Sequence, residues 1–522
     1  MEFLSLLALV SALFIIFYKS TKRIKKTTTH PVPLPPGPAG YPIVGCLLEM
    51  VKNKPTFRWI HNHMQRLDTE IACFRLGSVH VITVSSPELV RQIFKEQDDI
   101  FATRPDSMSA RLTSNGYLST ALSPTGDQWK KMRRVIVSEV VTPSMHQWLH
   151  AKRCEEADHL VRYVYNQCQN PSTNGVVDVR EAAKLYCGST IRKMVFGKRF
   201  FGSGMEDGGP GIEEREHMDA LFTILQYVYG FAIAQYIPLL EMCDLDGHKK
   251  ILSDALDCLR KYQDPEVDNR AKMWRNGSRN TNEDILDVLI GLKDSNDDPL
   301  LSTQEIKAQL IEIFIAVIDN PSNVVEWAMS EMINEPRFLD LAYKELDGVV
   351  GKNKLVQESD LPQLNYIKAC VKEALRLHPV APFNLPHVSI ADTIVGGYFI
   401  PKRSHLLISR RGLGRNPRVW KDPLKFKPER HIVDESSQVV FTDPELRMWS
   451  FSLGKRGCPA IVLGSNLMTL LLARLVQGFS WRLPSNVPVI ELAESHQSML
   501  LAKPLIAHAT PRLEPQVYHQ IQ

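Results

Sequence analysis

The stretch Phe451-Ser452-Leu453-Gly454-Lys455-Arg456-Gly457-Cys458-Pro459-Ala460 runs directly into an apolar segment ending near Gly478, and the rest of the chain must fold around what it presents. Two glycines, Gly454 and Gly457, permit a tight hairpin, and the segment behind reads as a helix whose positive end faces the Cys458 sulfur. That field favours thiolate over thiol. A thiolate so placed can be a nucleophile or a metal ligand. No further Cys, His or carboxylate stands close by in the sequence to complete a zinc set, and no histidine base adjoins it. The other eight cysteines read as buried small hydrophobes.

One sulfur, an aromatic residue (Phe451) beside it and a cation (Arg456) two positions away suit a haem with propionates better than either alternative. The same ten residues resemble the cysteine-ligand signature of the cytochrome P-450 haem-thiolate monooxygenases, Phe-x-x-Gly-x-Arg-x-Cys-x-Gly, departing at Ala460. The resemblance implies a mainly α fold with small β-sheets (α+β). It further implies haem b as cofactor, Cys458 as the axial iron ligand and Arg456 beside a haem propionate.

The net charge of +4 is local. Lys19, Lys22, Arg23, Lys25 and Lys26 supply it and the remaining charges nearly cancel, so no nucleic-acid footprint is left. From Phe3 to Tyr18 sixteen residues are apolar or small, and the basic cluster follows. The opening Met1-Glu2 and the end Ile16-Phe17-Tyr18-Lys19 lack the basic start and small-residue site of a cleaved signal. Residues 1–26 therefore read as an uncleaved single-pass anchor with its stop, holding the body on the cytosolic face of the endoplasmic reticulum membrane. The odd, scattered cysteines agree with a reducing compartment. Pro31 to Pro38 cannot be helical, so residues 27–40 read as a proline-rich hinge, and 41–522 as one catalytic domain.

Helical periods dominate from Pro87 to Glu96, Trp129 to Val141, Ala151 to Gln167, Val179 to Met194, Arg215 to Tyr227 and Asn282 to Leu292. Ile71 to Val84, broken at Gly77, reads as a short hairpin, and a second strand region is expected between His387 and Ile408. Ile306 to Met332 is the long central helix. Pro321 in its middle removes an amide from the Val317 carbonyl, which predicts a kink, or else two helices meeting at Asn320.

Trp129 and Arg133 share a helix face and could meet one acidic group together. They match the family's Trp-x-x-x-Arg, whose members bind a haem propionate, and His387 stands where another propionate-binding basic residue is usual. Glu373 and Arg376 resemble the family's Glu-x-x-Arg, with Arg430 of Pro428-Glu429-Arg430 completing an ion network behind the cysteine loop. In the wider superfamily the central helix carries an acid followed by Thr, which deliver protons. Here Asp319 is present and Thr is replaced by Asn320-Pro321.

Asp319-Asn320-Pro321-Ser322-Asn323 is similar to the motif of the plant amino-acid N-hydroxylases, the aldoxime-forming branch. Asp244-Leu245-Asp246-Gly247-His248, His378-Pro379-Val380-Ala381-Pro382-Phe383-Asn384, Gly412-Leu413-Gly414-Arg415-Asn416-Pro417 and Ala502-Lys503-Pro504-Leu505 agree with it. The resemblance implies two N-hydroxylations of an L-amino acid and release of an oxime, with O2 and with electrons from NADPH through a separate reductase. Asp319 and Asn320 are then the proton-delivering pair. Arg104 and Arg111 are candidate cations for the substrate carboxylate, and Phe383 and Met499, with the segment around Phe231, face its side chain. Three other readings stay open: a haem-thiolate lyase or isomerase needing no external electrons, another small-molecule hydroxylase, and a catalytically silent haem or steroid binder.

Overall fold

A computed structural model of the protein describes residues 31–228, 230–434, 437–484 and 487–521; the expected anchor lies outside the described residues. The central helix runs from Thr303 to Asn334. Its start is fixed by a reciprocal cap in which the Ser302 hydroxyl accepts from the Glu305 amide and the Glu305 carboxylate accepts from the Ser302 amide. The helix passes through Pro321, so the alternative of two helices meeting at Asn320 does not hold. Neighbouring side chains dress the disrupted turn: Asn320 Nδ2 donates to the Ala316 carbonyl at 3.0 Å and the Ser322 hydroxyl to the Ile318 carbonyl at 2.8 Å.

Helices Val179–Phe196, His248–Arg275, Asn365–Leu377 and Ile461–Gly478 pack on this axis. Two apolar clusters meet on it, one holding Val324, Trp327 and Met332, the other Ile306, Phe314 and Ile318. Ile461–Gly478 is long and apolar enough to cross a membrane, yet its residues from Leu467 onward are buried, which marks a core helix.

In chain order the strands are β1 (Ile71–Leu76), β2 (Val79–Val84), β3 (Val176–Asp178), β4 (His387–Val388), β5 (Thr393–Val395), β6 (Tyr398–Ile400), β7 (His405–Ile408), β8 (Phe479–Arg482) and β9 (Ile506–Pro511). They form sheets β1-β2-β7-β4, β3-β9-β8 and β5-β6. The expected hairpin is β1-β2, Leu76 opposite Val79, with the parallel partner β7 carrying the chain back beside it. The second expected strand region supplies β4 to β7.

Each expected helix is found within a few residues of its bounds, although Pro87–Arg91 and Asp127–Val135 each pass into a π-helical turn. Two features were not singled out by pattern. His248–Arg275 hides its period behind Pro265 and many charges. It is anchored by Leu252, Leu256, Leu259 and Val267, and by Lys307, whose ammonium meets Asp264 and Asp268. The sheet β3-β9-β8 joins segments more than three hundred residues apart, which no local period reveals.

The proline-rich stretch needs a correction. From Pro33 on it is laid along the body instead of standing off as a spacer: the Phe399 amide donates to the Pro33 carbonyl and the Cys73 amide to the Pro36 carbonyl, both at 2.8 Å. Prolines lack donors but keep acceptors, which is why they can edge a sheet here.

Candidate active site

The loop before Ile461–Gly478 is closed by its own backbone. The Gly457 amide donates to the Gly454 carbonyl at 2.9 Å and the Cys458 amide to the Phe451 carbonyl at 2.8 Å. Gly454 has φ +71°, and a Cβ there would lie 2.5 Å from the Asp98 carboxylate, so glycine is required twice over. Ala460, where the family signature has glycine, sits at φ −101°, a conformation any residue takes. The Phe451 ring packs against Gly464.

Burial pushes the Cys458 thiol up, and the Ala460 amide, Arg133 and Arg410 oppose it by less. A haem iron bound here would favour the thiolate as its ligand.

Cations converge on this loop. Arg133 donates to the Gly457 carbonyl at 2.8 Å, and the Arg456 guanidinium lies 4.3 Å from the Trp129 ring centroid. Trp129 and Arg133, one turn apart, thus bracket the residues flanking the thiol. Arg456 is buried and spends its donors on the Ala102, Thr120 and Ser123 carbonyls. Burial, then the Arg104 charge, push its guanidinium down to about 8; Glu312 pulls the other way, Arg133 adds to the fall and Asp98 opposes it. His387 is fully enclosed with Nδ1 2.7 Å from the Phe101 carbonyl, and burial with Arg104 holds it neutral. The guanidiniums of Arg104, Arg133 and Arg456 outnumber the carboxylates of Glu312 and Asp98 that act on them, so the cluster is net cationic and suits anionic propionates. The residues fit a haem.

Arg104 belongs to this cluster. It was expected as a spare cation for a substrate carboxylate, but its donors go to the Ala121, Leu385 and Pro386 carbonyls. Arg111 is likewise committed, at the surface, to Glu241 at 2.9 Å and Asp106 at 3.5 Å. Phe383 and Met499 do come together, in one apolar cluster with Trp59 and Phe74 that Phe231 flanks, and Phe383 stacks on His61.

On the central helix Asp319 and Asn320 point apart, as neighbours about 100° apart must. Asn320 shares a stripe with the exposed Ala316. Asp319 is buried, and burial pushes its carboxyl up to about 7 against the pull of Lys184 on the helix Val179–Phe196. Near neutral pH this acid can keep a proton.

Behind the loop, Glu373 receives Arg376 at 2.7 and 2.8 Å, Arg430 at 2.9 Å and His431 at 2.8 Å. Burial would raise its carboxyl, but these donors, Arg376 first, hold it down to about 2. Sequence reasoning missed His431, adjacent to Arg430, and Trp420, whose ring is approached by Arg376, Arg430 and Arg447. An aromatic and a histidine beside the arginine motif were the available signal.

A family model described as Cytochrome P450 matches residues 35–508. The chain is 54% identical to a phenylalanine N-monooxygenase of Prunus mume, over 96% of this chain and 94% of that one. It is 52% identical to a tryptophan N-monooxygenase of the same plant (98% and 96%) and 51% identical to valine N-monooxygenase 1 of Manihot esculenta (97% and 93%).

Proposed function

From the cytochrome P450 family, to which this chain belongs, we infer an amino-acid N-monooxygenase that takes an L-amino acid through two N-hydroxylations to the aldoxime. The similarity over nearly the whole chain to amino-acid N-monooxygenases carries this reading, and the cation-rich cysteine loop agrees with it.

Haem b, when bound, supplies the oxygen activation. Cys458 would hold its iron, and Arg133 and Arg456, which carry more N–H groups than the backbone carbonyls they meet, would face its propionates. Burial has raised the Asp319 carboxyl to about 7, so near neutral pH it can both hold and release a proton. Asn320 ties its amide nitrogen to the Ala316 carbonyl, leaving Oδ1 to accept a hydrogen bond on the exposed side of the helix. Pro321 leaves the Val317 carbonyl without its helical partner, a further acceptor for a water that could pass the proton on. The apolar meeting of Phe231, Phe383 and Met499 favours an apolar side chain, aromatic or aliphatic.

Electrons come from NADPH through a reductase, and the body sits on the cytosolic face of the endoplasmic reticulum membrane, held by residues 1–26. Leu239 and Met242 are more than nine-tenths exposed, which suits a second apolar contact with that membrane. Turnover of the twenty protein amino acids in membranes reconstituted with reductase and NADPH tests the proposal. Oxime from at least one apolar amino acid, dependent on NADPH, is the expected result, and NADPH-independent turnover would move the reading to a lyase.

A further inference from the structure

Glu312 sits on the central helix at the same stripe as Ala316 and Asn320, four and eight residues before them. A carboxylate on that stripe invites the idea that it pairs with the ammonium of an amino-acid substrate. Its hydrogen bonds say otherwise. Oε1 accepts from the Ser119 hydroxyl and from the Leu122 amide at 3.0 Å; Oε2 accepts from the Thr120 amide at 3.0 Å and the Ala121 amide at 2.7 Å. Four donors fill the roughly four lone-pair sites of a carboxylate. Gln309, one turn earlier, accepts from the Thr120 hydroxyl at 2.6 Å.

The same loop is gripped from its other side. Its carbonyls at Thr120 and Ser123 accept from Arg456, and that at Ala121 accepts from Arg104. Amides of Thr120, Ala121 and Leu122 thus face an anion while the carbonyls of Thr120, Ala121 and Ser123 face cations, so the loop is a hydrogen-bonded bridge from the central helix to the guanidiniums around the cysteine loop. Glu312 is also the carboxylate that acts most strongly on that charge cluster, pulling against the burial of Arg456 ahead of Asp98.

We propose that Glu312 is a positioning residue: it fixes Ser119–Leu122 between the central helix and the Arg104–Arg456 pair, and it does not bind substrate. The consequence for substrate affinity rests on the amino-acid reading above; the consequence for the loop does not. Glu312→Gln removes the charge and turns an NH2 group towards two donors, which cannot both be satisfied.

The test uses the full-length, haem-loaded protein. Backbone amide exchange at Thr120, Ala121 and Leu122 should quicken tenfold or more in Glu312→Gln, and two- to threefold in the milder Ser119→Ala, with the core helix Ile461–Gly478 unchanged. Optical titration with L-phenylalanine and with 3-phenylpropanoate, which lacks the amine, should show the same fold loss for both probes in Glu312→Gln. Unaltered exchange at the three amides in both variants would overturn the proposal, as would a loss confined to the amine-bearing probe. Should neither probe bind the parent protein, the amino-acid reading suffers, while the exchange result still decides the role of Glu312.

Discussion

Arg133 Nη2 donates to the carbonyl of Gly457 at 2.8 Å, so a helix more than three hundred residues upstream holds the peptide immediately before the Cys458 thiol. The contact places a cation beside the sulfur, which pulls against the burial that raises the thiol.

Cys458→Ser should abolish the thiolate-type absorption of the reduced, carbon monoxide-bound protein, because the hydroxyl cannot replace the thiolate. Arg133→Ala keeps the sulfur and should lower haem content while leaving the band position of the retained fraction unchanged. Optical spectra of the purified variants check both.

Glu373→Gln leaves the buried Arg376, together with Arg430 and His431, facing a neutral amide. Stranding a buried charge costs about 3–5 kcal/mol, so the variant should lose much of its cooperative folding and haem content. Denaturant unfolding measures the loss, and a change below about 1 kcal/mol would remove the network from the account.

Asp319 and Glu373 impose opposite pH slopes. The folded protein keeps the Asp319 proton up to about 7, whereas an unfolded aspartate releases it near 3.8, so this group's contribution is full at low pH and is lost as pH rises through that window. Glu373, held down to about 2 from an ordinary 4.5, stabilises above the ordinary value and loses that contribution as pH falls towards 2. Asp319→Asn should therefore flatten the decline in stability between about pH 4 and 7 and leave the loss that Glu373 imposes towards pH 2 as it is. In turnover the same variant should form roughly tenfold less oxime per NADPH, about 1.4 kcal/mol of barrier, with more hydrogen peroxide. Unchanged yield would dismiss Asp319 from proton delivery.

Deletion of Met1 to Lys26 should leave a folded, haem-binding body, because the Pro33 and Pro36 contacts with Phe399 and Cys73 stay in place. Sedimentation with and without detergent checks its release. If the shortened protein stays with membranes, substitution of Leu239 and Met242 by Ser should free it.

The sequence by itself determined whatever rests on local chemistry and period. The Cys458 loop, the β1-β2 hairpin and the Glu373-Arg376 pair are each built from residues a few positions apart, so spacing exposes them, whereas the continuity of Thr303–Asn334 through Pro321 was settled only by the fold. Only the tertiary structure decided the partners. Arg104 was a free cation to the sequence and became a neighbour of Arg456 because the chain returns there at Leu385 and Pro386. How strongly burial opposes the Cys458 thiolate depends on what packs around it, which no loop motif states. The bridge from Glu312 through Ser119–Leu122 to Arg456 spans residues nearly two hundred or more apart at each step, and hydrogen bonds at such separation leave no periodic trace in the chain.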